Sequence, residues 1–545
     1  MSLRVQTNKQ ILPFAAVVVA MLPAVLDQTI LATALPVIAR DLGSVSDVSW
    51  IVTAYVVAAA ATTPLWGRLG DRLGRKLVLQ VSLATFVSTS ALCAAAPGMT
   101  ALIVLRGIQG MAAGGLMTLA MASVGDLVAP RERGRYQGYI AATFAIATIV
   151  GPLLGGVLVE GPGWRWVFLV NLPVGALALA ALHLRLPAPA TAPRERPLDA
   201  AGAALLASAT STLMLVCIWG GERYAWGSLQ ILGLIAATVT LSVALYARER
   251  RAADPIVPFH LLRTRAVAVA SSALFLGTAA LFAITVFVPL FLQTTTGATP
   301  TEAGLLLIPA MLGITVSTTL SGRSIARTGR YKRFPVAGLA IMTAALALLA
   351  AMSGDPSQTA TGAGLAAFGL GFGMVTQVLV TAVQNSVDRR ELGIATATTG
   401  FFRALGGAMG AAVLGAVFAA QAGIHASDSG GPALRSHVID GVQAVFMVAA
   451  PLAALAVLIV LLLPERPLRT RTGPPRRRAC RLRRPLPDRL RSSPTPASGS
   501  MWKTSPVRAT GSSSTRPRAP STTSRPTSAV ESARRARAPP ARRSP

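Results

Sequence analysis

Charge is scarce in this 545-residue sequence: Asp, Glu, Lys and Arg together make up 13% of it. A soluble domain carries about a quarter. With 52% hydrophobic residues and a mean hydropathy of +0.56, too little polar surface remains for a soluble fold of this size. Histidine is scarce as well. The four present (His183, His260, His425, His437) show neither an HExxH pattern nor paired metal spacing, and no nucleophile constellation accompanies them. That argues against an enzyme. Three scattered cysteines (Cys93, Cys217, Cys480) make neither a disulfide framework nor a metal site. Period-two alternation is missing, which argues against a membrane barrel. No ATP-binding motif is present, and no cofactor is expected.

What is there is a series of apolar runs of about 18–25 residues, each long enough to cross the hydrocarbon core as a helix. Within lipid the backbone must satisfy its own polar groups, so these runs are expected to be helices. Spans are expected near 11–36, 48–67, 77–96, 100–127, 136–159 and 164–184. Two more follow near 200–219 and 229–247, then six near 266–292, 303–322, 335–352, 359–383, 393–420 and 441–463. The first run contains Asp27 and has no clear small-residue cleavage site, so it reads as a span and not as a cleavable signal.

The net charge of +30 invites a nucleic-acid reading until the charges are located. From Glu465 onward, 21 of the 51 Lys and Arg stand against three acids, in a stretch of Pro, Ser, Thr, Ala and Arg. That composition is expected to be disordered. Basic clusters such as Arg476-Arg477-Arg478 could meet anionic lipid headgroups; an unselected or frame-shifted extension would read the same way. Neither reading makes a nucleic-acid-binding domain. Upstream, alternate loops hold 24 basic residues, Arg4 and Lys9 included, and the opposite loops hold four: Arg40, Arg165, Arg223 and Arg435. The positive-inside rule places the 24-residue side, with both termini, in the cytoplasm.

An internal repeat runs through the spans. Gly67-Arg68-Leu69-Gly70-Asp71-Arg72-Leu73-Gly74-Arg75 and Gly322-Arg323-Ser324-Ile325-Ala326-Arg327-Thr328-Gly329-Arg330 share five identities at an offset of 255. At an offset of 259, Gly110, Gly114, Glu132, Gly134, Gly151 and Gly156 pair with Gly369, Gly373, Glu391, Gly393, Gly410 and Gly415. The implied organisation is a six-helix half (1–190), two inserted helices (191–255), a second six-helix half (256–465) and the basic tail (466–545). Six-helix halves around a central site are a transporter plan.

Four motifs carry a family resemblance. Gly67 to Leu79 matches the G-x-L-x-D-R-x-G-R-K pattern, and Leu102 to Gly110 carries Arg106 within a span. Gly151-Pro152-Leu153-Leu154-Gly155-Gly156 is of the G-P-x-x-G-G type, and Leu26-Asp27-Gln28-Thr29 opens the second half of span one. Together with Trp164-Arg165-Trp166-Val167-Phe168 and Asn171-Leu172-Pro173, these residues resemble the major facilitator superfamily over about residues 11–465. Within that superfamily they resemble the fourteen-span drug:proton antiporters of the QacA/EmrB type. The resemblance implies an all-α membrane protein of the major facilitator fold in the cell membrane. It also implies small drug-like substrates and protons as partners, and a monomer. Three positions depart from the pattern. Ala147 stands at an expected Gly, and the second half has Ala411 and Leu365 where Pro152 and Arg106 would repeat, which places the proton machinery in the first half.

The residues have their own chemistry beside the resemblance. A bare carboxylate at mid-membrane is costly unless it is protonated, paired or wetted, and desolvation favours the neutral acid as a proton carrier requires. Asp27 is therefore the candidate proton site; its bland alternative is a permanently paired carboxylate. Arg106 cannot release its proton but can tune a carboxylate, and Gln109 and Gly110 share its helix face. Its alternative is a packing role on backbone carbonyls. Gly67, Asp71, Arg72, Gly74 and Arg75 form a candidate conformational switch, read as a short turn whose carboxylate touches the other half. A topology signal alone would place the same charges there. Gly151, Pro152, Gly155 and Gly156 offer a kinked small-residue face suited to alternating access, or to packing alone. Gln109, Gln293, Gln377 and Arg403 are candidate cavity residues, with Gln384 and Asn385 as further polar span positions. Gly369-Leu370-Gly371-Phe372-Gly373 lies in an apolar helix with no strand before it, so it reads as packing and not as a nucleotide loop.

The leading expectation is proton-driven export of hydrophobic or cationic drugs. Symport of a small metabolite or siderophore keeps the fold and reverses the direction, and the antiporter-like span five argues against it. A non-transporting sensor or scaffold would not need Asp27 and Arg106.

Overall fold

The computed structural model describes residues 2–42, 47–129, 131–187, 199–221, 223–252, 256, 259–296, 307–352, 358–422, 432–465 and 467–468. The expected basic tail lies outside them, save Pro467 and Leu468. The first long helices are α1 (Ser2–Asp41), α2 (Val48–Leu73), α3 (Arg75–Ala94), α4 (Met99–Leu127), α5 (Arg133–Glu160) and α6 (Trp166–Arg185). Then come α7 (Ala200–Trp219) and α8 (Leu229–Glu249). The last are α9 (Arg265–Gln293), α10 (Ile308–Thr328), α11 (Arg333–Met352), α12 (Gln358–Ser386), α13 (Leu392–Ala422) and α14 (Pro432–Leu461). No strand occurs among the described residues beyond a lone bridge between Gly220 and Tyr224.

Thirteen of these helices are long and apolar enough to cross a membrane. The exception among the expected spans is α10. It carries Ser317, Thr318, Ser321 and Gly322 on its buried face, and Arg323 and Arg327 in its last turns. Its polar groups face α5 and α12. Packing against protein, and not bulk hydropathy, therefore accounts for this helix.

Two sets of helices build separate cores. One large apolar cluster draws only on residues from Leu261 to Leu468, while two smaller ones draw only on residues from Phe14 to Leu186. Close helix approach repeats at matching places. A Cβ on Gly110 would lie 2.7 Å from Tyr55 Cα on α2, and one on Gly369 would lie 2.8 Å from Ala310 Cα on α10. Gly369 and Gly373 thus belong to a packed helix face.

The two sets meet along two seams, α2 with α13 and α5 with α10. α7 packs on both α2 and α13, through Met214 against Val57 and Ala60, with Leu405 and Ala408 at its edge. α8 pairs with α7 and is otherwise exposed, and Arg248 clips it to Asp199 at 3.0 Å.

Candidate functional site

Asp27 lies in the middle of α1 and is fully buried. Its neighbours supply hydrogen-bond donors to both carboxylate oxygens, as a buried polar group requires. Arg106 Nη1 on α4 donates to Asp27 Oδ2 at 2.6 Å. Gln109 Nε2 and Asn171 Nδ2 each donate to Oδ1 at 3.2 Å. The same two amides donate to Ser90 Oγ on α3, at 2.6 and 3.0 Å. Four helices (α1, α3, α4, α6) therefore contribute to one polar cluster inside an apolar bundle.

Arg106 is held on every side. It donates to Gln109 Oε1 at 2.6 Å, one helical turn along, and through Nε to the Ile51 carbonyl at 3.3 Å. The Tyr55 ring lies 4.2 Å from its guanidinium carbon and the Phe168 ring 5.9 Å. A desolvated guanidinium gains from aromatic faces as well as from the carboxylate. A buried pair removed from water is costly to break on one side only, because the remaining charge is stranded. Chemically, the cluster is a carboxylate whose charge is balanced by one fixed cation and held by neutral amides.

Two residues beyond this cluster link α1 to its neighbours. Thr29 Oγ1 donates to the Ala147 carbonyl on α5 at 3.2 Å, and Gly151 and Gly155 bring α5 onto Thr29, Ile30 and Thr33. Gly156 would meet nothing within 4 Å and Pro152 is exposed. Close approach in this motif thus rests on Gly151 and Gly155, which corrects the expectation of one four-residue contact face. At the far end of α1, Trp164 Nε1 donates to Asp41 Oδ2 at 2.7 Å.

The switch residues lie elsewhere. Gly67, Asp71 and Arg72 are inside α2, which corrects the expected short turn; the chain breaks only at Gly74, with φ 91°. Gly329, its repeat partner, also takes positive φ, at 71°. Glycine adopts this region without the Cβ penalty. Asp71 Oδ1 and Oδ2 accept the backbone N–H groups of Gly393 and Ile394, both at 2.8 Å, and so cap the N-terminus of α13. Arg75 Nη2 holds Asp71 Oδ1 at 2.9 Å. A Cβ on Gly393 would lie 2.5 Å from both Asp71 Oδ1 and the Gly67 carbonyl oxygen. At the other seam a Cβ on Gly134 would lie 2.5 Å from Gly322 Cα. There Arg131 donates to the Ala326 and Arg327 carbonyls at 2.7 Å, capping the C-terminal end of α10.

Of the candidate cavity residues, Gln109 belongs to the Asp27 cluster. Gln293 and Arg403 are exposed, and Gln377 is half-buried with an unpartnered Oε1. Gln384 and Asn385 do not line a cavity. Gln384 donates to the Met121 carbonyl on α4 at 3.3 Å, and Asn385 donates to the Pro467 carbonyl at 3.4 Å. Sequence reasoning singled out Asp27 and Arg106 as ionisable groups in apolar runs, but missed Ser90 and Tyr55. Both occur in runs where Ser and Tyr are unremarkable, so sequence offers no signal for them. Asn171 was visible only as part of a motif.

Known proteins resemble this chain along most of the described helices. A family model described as Major Facilitator Superfamily matches residues 17–411. An uncharacterised MFS-type transporter of Mycobacterium tuberculosis is 40% identical over 406 residues, covering 74% of this chain and 59% of that protein. This chain therefore spans less than two thirds of that relative. The multidrug transporter protein MdtP of Bacillus subtilis is 35% identical over 437 residues, 80% of each chain. Among solved structures, the human organic anion transporter MFSD10 superposes with a TM-score of 0.60 at 19% identity, covering 83% of this chain and 99% of that one. The proton:xylose symporter XylE does so with a TM-score of 0.58 at 15% identity, covering 84% and 97%. At those identities the two structures speak to the fold alone.

Proposed function

We infer that this chain, which belongs to the major facilitator superfamily, is a fourteen-span proton-coupled antiporter that exports drug-like molecules from the cytoplasm by alternating access. It is a transporter and not an enzyme. The observation that carries the proton-coupled reading is the fully buried Asp27–Arg106 pair, tied by Gln109 and Asn171 to two further helices. Support for export comes from relatives named for multidrug transport, MdtP and multidrug resistance protein 3 of Bacillus subtilis, the latter 33% identical over 396 residues.

In this reading the spans divide as six, two and six, with both termini and the basic loops in the cytoplasm. The described seam contacts at Gly67, Gly134, Gly322 and Gly393 lie at the basic-loop ends of their helices. Toward the other face, Gly156 and Gly415, which are repeat partners, meet nothing within 4 Å. In this reading the seam contacts close the cytoplasmic side of the molecule. Protonation of Asp27 removes the charge that Arg106 balances, so α1 and α4 lose their strongest link. Thr29, two residues on from Asp27, passes the displacement to α5 through Ala147 and Gly151. α5 also forms the second seam, so a proton event at α1 biases the contact that closes the cytoplasmic face.

The test uses energised inside-out vesicles loaded with a pH dye, to which candidate drugs are added. Drug-induced proton release from wild type that is lost in Asp27→Asn supports the reading. Release that survives the substitution sinks the assigned proton site.

A further inference from the structure

Before Arg466, only two of the 30 Lys and Arg lie inside spans and not in loops: Arg106 and Arg403. Arg106 has its carboxylate. Arg403 has none, and among the described residues it makes no hydrogen bond or ion pair. Among the described residues from 256 to 465, the acids Asp388, Glu391, Asp440 and Glu465 lie in a loop or toward a helix end.

The position of Arg403 follows from its helix neighbours. Gly400, Arg403 and Gly407 share one face of α13 at i, i+3 and i+7. Gly400 looks across the seam, its Cβ position 3.7 Å from Thr63 Cγ2 on α2. Gly407 looks at α9, its Cβ position 3.0 Å from Phe282 Cε2 and 3.7 Å from Thr278 Cγ2. At 100° per residue Arg403 lies about 60° round α13 from Gly400 and about 40° from Gly407, one turn beyond the Thr63 contact, and is exposed. Leu405, about 200° round the helix from it at 100° per residue, is on the side that α7 covers. Arg403 thus projects away from the side that α7 covers, on the side of α13 where Gly406, Gly407 and Gly410 approach α9.

A second observation points to a ligand at the same place. Thr278 and Ser271, two turns apart on the face of α9 that meets α13, are 8% and 2% exposed, and neither hydroxyl has a hydrogen-bond partner. Helical Ser and Thr ordinarily donate to a carbonyl one turn back. Phe275 and Phe282 on the same helix face, with the Phe401–Phe402 pair beside Arg403, supply apolar surface.

We propose that Arg403, Thr278 and Ser271 form an anion-recognition element in the transport cavity, and that the exported molecule is a lipophilic compound bearing a carboxylate. A guanidinium presents paired donors to a carboxylate, and hydroxyl donors on the adjacent helix complete its shell. The site stands within the C-terminal helices, away from Asp27, so cargo and proton have separate charge partners. This deepens the export reading above and rests on it, and it replaces the expected cationic cargo with an acid or zwitterion.

The test is equilibrium binding to the purified full-length protein in detergent, with no gradient, so that its failure is distinct from failure of proton coupling. The probes are 9-anthracenecarboxylate and its neutral primary amide, followed by fluorescence. Wild type is expected to prefer the carboxylate by about tenfold or more, the scale of a charge-assisted hydrogen bond. Arg403→Gln should bring the two probes to within about twofold by weakening carboxylate binding, and Arg403→Lys should keep part of the preference. Should Arg403 variants fail to fold, Thr278→Val carries the test, with an expected loss of about threefold in carboxylate affinity alone. Equal binding of the two probes by wild type overturns the proposal, as does a preference that survives Arg403→Gln or is untouched by Thr278→Val. Loss of the preference to sodium chloride competition assigns the site to an inorganic anion and also overturns it.

Discussion

The first six and last six helices use the same backbone contacts and different charges. Gly110 closes on Tyr55 as Gly369 closes on Ala310, and Gly393 meets Gly67 as Gly134 meets Gly322. Yet Arg106 has Leu365 as its repeat partner, Asp71 has Ala326, and Arg403 has Phe144. Small residues are kept wherever two helix backbones touch, because a side chain there would separate them. Charge is not needed for that packing, so it can differ between the sets.

That contrast can be broken most severely at the ion pair. Arg106→Leu, which imitates the second set, strands Asp27 among apolar helices and should cost about 3–5 kcal/mol. A large fall in the melting temperature of the purified protein would show it. Asp27→Asn combined with Arg106→Leu should recover most of that loss while transport stays uncoupled from protons. If the double variant is no more stable than the single one, charge stranding is not the cause. Next in size are the glycine contacts. Gly393→Ala and Gly134→Ala each place a methyl group against backbone or the Asp71 carboxylate, and overpacking costs about 1–3 kcal/mol. Cysteine pairs across the two seams should cross-link more slowly in these variants, and unchanged rates would show that the seams can yield.

The caps of the seams give smaller effects. Asp71→Ala makes the first seam like the second and removes two N–H acceptors from α13, a loss of about 0.5–2 kcal/mol for a helix cap. Solvent labelling of a cysteine at Gly67 or Ala397 should rise accordingly. Arg131→Ala frees the last carbonyls of α10 and should cost about 0.3–1 kcal/mol, visible only as a modest rise in labelling at Thr319 or Ala326.

Much of the frame was legible beforehand because lipid restricts what a chain can do. Apolar runs of span length admit only helices. The expected bounds 393–420 and 136–159 fall within Leu392–Ala422 and Arg133–Glu160, since helices extend past the hydrocarbon into their loops. The repeat was visible because glycine at a backbone contact has no substitute. Composition served less well for α10, whose Ser, Thr and Arg residues lower its hydropathy while its buried face packs on protein. Partners were the harder part. Asp27 and Arg106 stand out as ionisable residues in apolar runs, but nothing local says that residues 79 apart meet, or that Ser90 and Asn171 join them. Gln384 and Asn385 were expected in a cavity because they are polar; both are buried, and the same polarity satisfies the carbonyls of Met121 on α4 and of Pro467 beyond α14.

Helix α7 touches α2 with one edge and α13 with the other. Any motion that changes the angle between those two helices must slide at least one of these contacts. The cluster concerned holds only three fully packed residues, Val57, Ala60 and Met214, with no hydrogen bond among them. Contacts of this kind lose little when displaced sideways, because dispersion is regained against the next methyl group. Beside this cluster, Trp50 on α2 meets Trp219 on α7 edge to face at 5.0 Å, so an apolar contact of mixed shape covers that seam.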